Sequence, residues 1–192
     1  MELRPFSKKG ILSYKSGKED DFIADLIVPL FEKISEVAGY YKNGPVKVEY
    51  LGKDRGRDIG IDVYWGYTDH FGREQHYGIQ AKTKPIIKRS GPKVENSIKN
   101  IVNGCKEAFN KELTMSEIKS ELEEAFVSEL ENPLTFLNKI RITGFYIITS
   151  QKTNQPAREY FLQQIQFFRN IQLFDCDDLY HLIKKLTKER YE

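Results

Sequence analysis

The chain has 192 residues, 40% of them hydrophobic and 12% aromatic, enough to bury one sizeable core and too aromatic for a disordered polypeptide. Its 30 Lys and Arg against 28 Asp and Glu leave a net charge of +2, which excludes a uniformly basic nucleic-acid coat; any cationic surface has to be local. No apolar run reaches membrane-spanning length, and Cys105 and Cys176 lie apart with no Cys or His at zinc-ligand spacing, so no disulfide framework or zinc site is expected. The start, Met1 to Pro5, lacks the apolar stretch of a secretory signal, and the expected compartment is the cytoplasm.

Residues 1–17 read as a polar lead-in to a single domain spanning 1–192. Ser16 to Glu19 has capping-box form, and Phe22, Ile23, Leu26, Ile27, Leu30 and Ile34 follow at helical spacing, with Pro29 expected to bend or break the helix. Val46, Val48 and Tyr50 alternate as a first strand. After a loop from Gly52 to Arg57, the run Ile59 to Trp65 reads as a second strand, Thr68 to Arg73 as a hairpin connection and Tyr77 to Thr83 as a third strand. Val94 to Phe109 has helical spacing, and residues 110–133 read as a helical insertion, opened by a capping box at Thr114 to Glu117 and carrying Glu121, Glu123, Glu124 and Glu129 on its outer face. Strand (Ile142 to Thr149), helix (Ala157 to Phe168), strand (Ile171 to Phe174) and helix (Asp178 to Lys188) complete an αβββααβαβα string, which implies a central mixed sheet flanked by helices.

Strand alternation predicts where chemistry gathers. In the second strand Ile61, Val63 and Trp65 share one face and Asp58, Gly60, Asp62 and Tyr64 the other; in the third, Gly78, Gln80 and Lys82 share a face. Pairing through the hairpin brings Asp62, Gln80 and Lys82 to one side, with Gly60 and Gly78 leaving open space above the backbone. A carboxylate and an amide oxygen suit a hard cation such as magnesium, and a lysine can orient or deprotonate water or stabilise phosphoryl charge. This is the equipment of metal-assisted phosphodiester hydrolysis, though a neutral Gln80 calls for a further acid. Trp65 and Phe145 are assigned to the core, and His70, His76 and His181 to the surface or hairpin.

The segments Gly56-Arg57-Asp58-Ile59-Gly60-Ile61-Asp62 and Tyr77-Gly78-Ile79-Gln80-Ala81-Lys82 resemble the Mrr-like branch of the PD-(D/E)XK nuclease superfamily, in its D…QxK form. The resemblance implies a restriction-endonuclease-like core, with Asp62 and Gln80 holding Mg or Mn, Lys82 as the catalytic lysine and Asp58 beside the metal ligands. It implies a DNA endonuclease, with RNA not excluded, in the company of restriction and defence enzymes. That family usually carries a glutamate on the first helix, just after an aromatic residue. Here the helix offers Glu19, Asp20, Asp21 and Asp25, of which Asp21 is preferred as the third metal ligand and Asp20 and Asp25 stand behind it. Lys53, Arg55 and Arg57 in one loop, and Lys84, Lys88 and Arg89 in another, flank the site where they could grip phosphates. Two alternatives stay open: an inactive nucleic-acid-binding or assembly module on the same fold, and an effector domain served by a recognition or regulatory chain. A homodimer is compatible with double-strand cutting.

Overall fold

The computed structural model describes residues 3, 6–51, 60–87, 113–114, 129–131, 139–165 and 170–188. The expected helix from Val94 to Phe109, most of the 110–133 insertion, and Asp58, Lys53, Arg55, Arg57, Lys88 and Arg89 lie outside the described residues. Among the described residues no helix is long and apolar enough to cross a membrane.

The lead-in is more than a polar tail. Ser7 accepts the Gly10 amide at 3.0 Å and starts a short helix, α1 (Lys8–Leu12), that buries Ile11 completely. Tyr14 then fastens the segment: its carbonyl accepts the Ser150 hydroxyl and the Gln151 amide nitrogen, each at 2.7 Å, and its ring packs against Phe22 at 5.3 Å.

Helix α2 (Glu19–Phe22) runs through a π-helical turn (Ile23–Ile27) into α3 (Val28–Val37). Its N-cap is Lys18, with no side-chain cap, so the expected Ser16 box is replaced by Glu19 reaching back to the Gly17 amide at 3.0 Å. Pro29 neither breaks nor ends the rod. The wide turn just before it, in which the Val28 amide bonds the Ile23 carbonyl five residues back, absorbs a ring that has no N–H to donate. One stripe of the rod, Phe22, Ile23, Leu26, Ile27, Leu30 and Phe31, is buried.

A 3₁₀ turn (Tyr40–Lys42) leads to β1 (Lys47–Tyr50), β2 (Val63–Thr68) and β3 (Glu74–Lys82), an antiparallel meander. Two small pairs follow: β4 (Ile86–Ile87) lies parallel to β5 (Leu113–Thr114), and β6 (Glu129–Glu131) antiparallel to β7 (Lys139–Arg141). Thr114 and Glu129, expected in a helix, are therefore strand residues, because a partner strand outweighs local helix propensity. β8 (Gly144–Thr149) joins β3 in parallel, α4 (Gln155–Ile165) crosses over, β9 (Ile171–Phe174) lies parallel to β8, and α5 (Cys176–Lys188) closes the fold. The result is a mixed α/β architecture whose five-stranded sheet has the order β1-β2-β3-β8-β9.

Each face of the sheet has its own core. Val63, Trp65, Ile79, Ala81 and Ile148 meet the rod and the Leu179, Ile183 and Leu186 stripe of α5. Tyr64, Phe145 and Ile147 meet Ala157 and Phe161 of α4. Trp65 and Phe145 are both buried, as the sequence implies, and the Trp65 indole donates to the buried Ser35 hydroxyl at 3.0 Å.

Two expectations fail at the start of β2. Regular strand begins at Val63 rather than Ile59, and Ile61 belongs with Tyr64 and Phe145 rather than with Val63 and Trp65. The cause is a bulge. The Asp62 amide donates to the Ile79 carbonyl at 2.9 Å while Val63 is the residue registered with Ile79, so two residues stand against one and the alternation slips by one place. Nor is there open space above Gly78, where a Cβ would come within 2.8 Å of the Phe145 ring and 3.0 Å of Ile61. Gly78→Ala is accordingly expected to cost about 1–3 kcal/mol through overpacking, read from the urea midpoint; an unchanged midpoint would mean that the Phe145 ring yields freely.

Candidate active site at the end of the central hairpin

The bulge gives Asp62 its task. Beyond Val63 no regular strand continues to bond Ala81, and the Asp62 carboxylate fills the gap, its Oδ2 accepting the Ala81 amide at 2.7 Å. Gly60, at φ +65°, supplies the left-handed turn that lets the chain leave the sheet there. Asp62 is half-buried, and its own carbonyl accepts the Leu51 amide at 2.9 Å, which ties the end of β1 to the same point.

Gln80 is 3% exposed, and its Oε1 has no hydrogen-bond partner among the described residues. Strand alternation puts it on the side of Gly78 and Phe145, and it is registered with Ile147 of β8. A buried amide oxygen left without a donor costs about 1–3 kcal/mol. Lys82, two residues on and half-buried, shares that face at the last position of β3. Lys84 follows just beyond, its carbonyl accepting the Thr149 hydroxyl at 2.7 Å.

The four acids of the first helix point in different directions, because successive helical residues are turned by about 100°. Asp25 accepts the Tyr14 hydroxyl at 3.3 Å, and Asp21 shares its face one turn earlier. Burial first, then the charge and hydrogen bond of Asp25 and the charge of Asp21, push the Tyr14 phenol up to about 12. Asp21, the preferred third ligand, is thus committed to the Tyr14 side. Asp20 instead accepts the Tyr50 hydroxyl, and Tyr50 also feels the charge of Asp62. Glu19 accepts the hydroxyl of buried Thr83, the residue after Lys82. Asp20 and Glu19 are therefore the helix acids linked to the end of the hairpin, on the face that α2 covers.

A second acidic group, Asp175, Cys176 and Asp177, has its ligand atoms within 4.8 Å of one another, but its partners explain it as a helix start. Asp175 Oδ1 accepts the Asp177 amide at 2.9 Å, its Oδ2 accepts the Thr153 amide at 3.1 Å, and Arg158 bridges Asp175 and Asp178 at 2.6 and 2.8 Å. Asp177 is paired with Lys8, and burial pushes the Cys176 thiol up to about 11. His76, half-buried, takes part in a 2.8 Å hydrogen bond with the Tyr64 hydroxyl, and burial lowers its pKa.

No family model matches the chain, and no curated protein matches it. Among solved structures, the MspJI restriction endonuclease in complex with a 27-mer oligonucleotide is similar over 97% of this chain and 35% of its own length, at 11% identity and a TM-score of 0.37. The chain thus spans about 35% of that enzyme. A likeness so slight carries no weight of its own, and the chemistry rests on the residues.

Two outcomes are expected. Replacing the orphaned amide, Gln80→Leu, should leave stability unchanged or raise it by up to about 2 kcal/mol in urea denaturation, because a buried unpartnered oxygen is removed; a loss of stability would reveal a partner that Gln80 needs. For Asp175, burial favours the neutral acid, but the Arg158 hydrogen bond, the two amides and the Arg158 charge outweigh it and hold the carboxyl below its ordinary range. A depressed folded-state pKa stabilises above the unfolded value of about 3.9 and is lost as pH falls below it. Asp175→Ala should therefore cost about 1–3 kcal/mol at pH 7, with the gap to the unsubstituted protein narrowing below about pH 4.

Proposed function

We propose that the protein is a metal-dependent endonuclease of the restriction-endonuclease-like fold, hydrolysing DNA phosphodiesters at the end of the β2–β3 hairpin. The observation that carries this reading is the buried Gln80 Oε1, unpartnered among the described residues, two positions before Lys82 and beside the bulge that presents Asp62. A buried oxygen kept without a donor suits a ligand for a hard cation; with the Asp62 carboxylate at the rim, and Asp20 reaching that rim from the α2 face, it would complete an all-oxygen donor set of the type magnesium or manganese takes. A divalent cation held there supplies Lewis acidity toward the scissile phosphate and a more acidic bound water. Lys82 sits at the strand end to orient or deprotonate the attacking water and to counter phosphoryl charge. Lys84 continues the cationic edge, and the loop residues Lys53, Arg55, Arg57, Lys88 and Arg89 are proposed to grip the backbone phosphates, with Asp58 beside the metal ligands. The order β1-β2-β3-β8, with three antiparallel strands and a parallel fourth, supports the fold assignment implied by the motif.

The test is cleavage of plasmid and single-stranded DNA with magnesium or manganese against EDTA. Lys82→Ala should lower the rate by about 10²–10⁴-fold with folding intact. Asp62→Asn is the better probe at its position, because an amide oxygen can still accept the Ala81 amide while the charge is gone; it should abolish cation-dependent cutting without unfolding the protein. Cutting that persists in EDTA, or full activity in Lys82→Ala, would remove the mechanism. Cation binding without cutting would favour the inactive binding module or an effector that waits for a partner chain.

A further inference from the structure

The expected chemistry needs an acid from the first helix close to Asp62, yet Asp20 is an exposed, short side chain on another element. Left alone it would sample several rotamers, and an unrestrained ligand binds a cation weakly. One partner that restrains it is Tyr50, the last residue of β1, whose hydroxyl donates to Asp20 Oδ1. The root of Tyr50 is fixed twice over. It is registered with Val63, the neighbour of Asp62, and the next residue, Leu51, donates its amide to the Asp62 carbonyl at 2.9 Å. The backbone that carries Tyr50 is therefore locked to the backbone that carries Asp62.

We propose that Tyr50 is the positioning residue of the site: its hydroxyl holds the Asp20 carboxylate near Asp62 and thereby sets the affinity for a divalent cation. The inference rests on the nuclease reading above. Glu19 provides a second brace. By accepting both the Gly17 amide and the Thr83 hydroxyl it fixes the first turn of α2 against the end of β3, so Asp20 is held at its backbone by Glu19 and at its carboxylate by Tyr50. Tyr50 is 37% exposed at the sheet edge, so removing its hydroxyl opens no buried cavity.

The experiment is calorimetric titration of the full chain with Mn²⁺, beside thermal melting of the cation-free protein, for the unsubstituted chain and for Tyr50→Phe, Asp20→Asn, the double variant and Asp62→Asn. Tyr50→Phe should weaken Mn²⁺ binding about 10-fold, as losing the orienting partner of a metal ligand does, while moving the cation-free melting temperature by no more than about 2–4 °C. Asp20→Asn should weaken binding at least as much. The double variant should bind no more weakly than Asp20→Asn alone, because the tyrosine acts only through that acid. Unchanged affinity in Tyr50→Phe, or losses that add in the double variant, would overturn the proposal. If the unsubstituted protein takes up no Mn²⁺, or Asp62→Asn leaves uptake unchanged, the nuclease reading itself falls and takes this inference with it, an outcome distinct from the first two.

Discussion

The hydrogen bond from the Ala81 amide to Asp62 Oδ2, at 2.7 Å, is the contact on which the end of the hairpin depends. β3 is paired on its other edge with β8 through Lys82, registered with Thr149, whereas β2 begins only at Val63. The Ala81 amide, in the middle of the sheet, would be left without an acceptor, and a buried N–H in that state is costly. A side-chain carboxylate takes the place of the absent strand. The same contact holds a carboxylate at the rim of the sheet, and so one hydrogen bond serves both the ladder and the chemistry proposed for it.

The two faces of the sheet divide the labour. On the side of α2, aromatic packing fixes the strands: Trp65 lies against Phe31 at 5.0 Å, and Tyr40 stacks on Tyr67 at 4.0 Å. On the side of α4, Phe145 fills the volume above Gly78 that a side chain would otherwise take, and Gln80 and Lys82 come next along the same face. Packing along β3 thus passes from aliphatic and aromatic at Gly78 to polar at Gln80 and cationic at Lys82. The polar end coincides with the point where β2 departs.

Much of this is legible in the sequence because it depends on neighbours close along the chain. The meander, the rod from Glu19 to Val37, the parallel strands and the burial of Trp65 and Phe145 follow from periodicity and turn residues. The pairing of Asp62 with the Gln80 to Lys82 segment follows from a motif whose spacing a hairpin preserves. What escapes is whatever a distant contact decides. One extra residue at the bulge reversed the face of Ile61, since alternation has no tolerance for a slip of one. Four acids within seven helix positions differ only in rotation about the axis, and their partners sit elsewhere: Tyr50 is 30 residues from Asp20, and Thr83 is 64 from Glu19. Nothing local to Ser16 or Asp21 signals those pairings.

The same contacts bear on why a neutral glutamine suits its position. A position that is 3% exposed would penalise a second negative charge through desolvation, with Asp62 already anchored on the adjacent Ala81 amide. A neutral amide avoids that penalty and still offers an oxygen. In the site proposed above the negative charge would come from Asp62, half-buried at the rim, and from Asp20, exposed on α2. Exposed carboxylates are cheap to charge and poorly ordered, so the burden shifts from desolvation to positioning. The hydroxyl of Tyr50 and the Glu19 to Thr83 bond meet that second demand, one at the carboxylate and one at the helix turn that carries it.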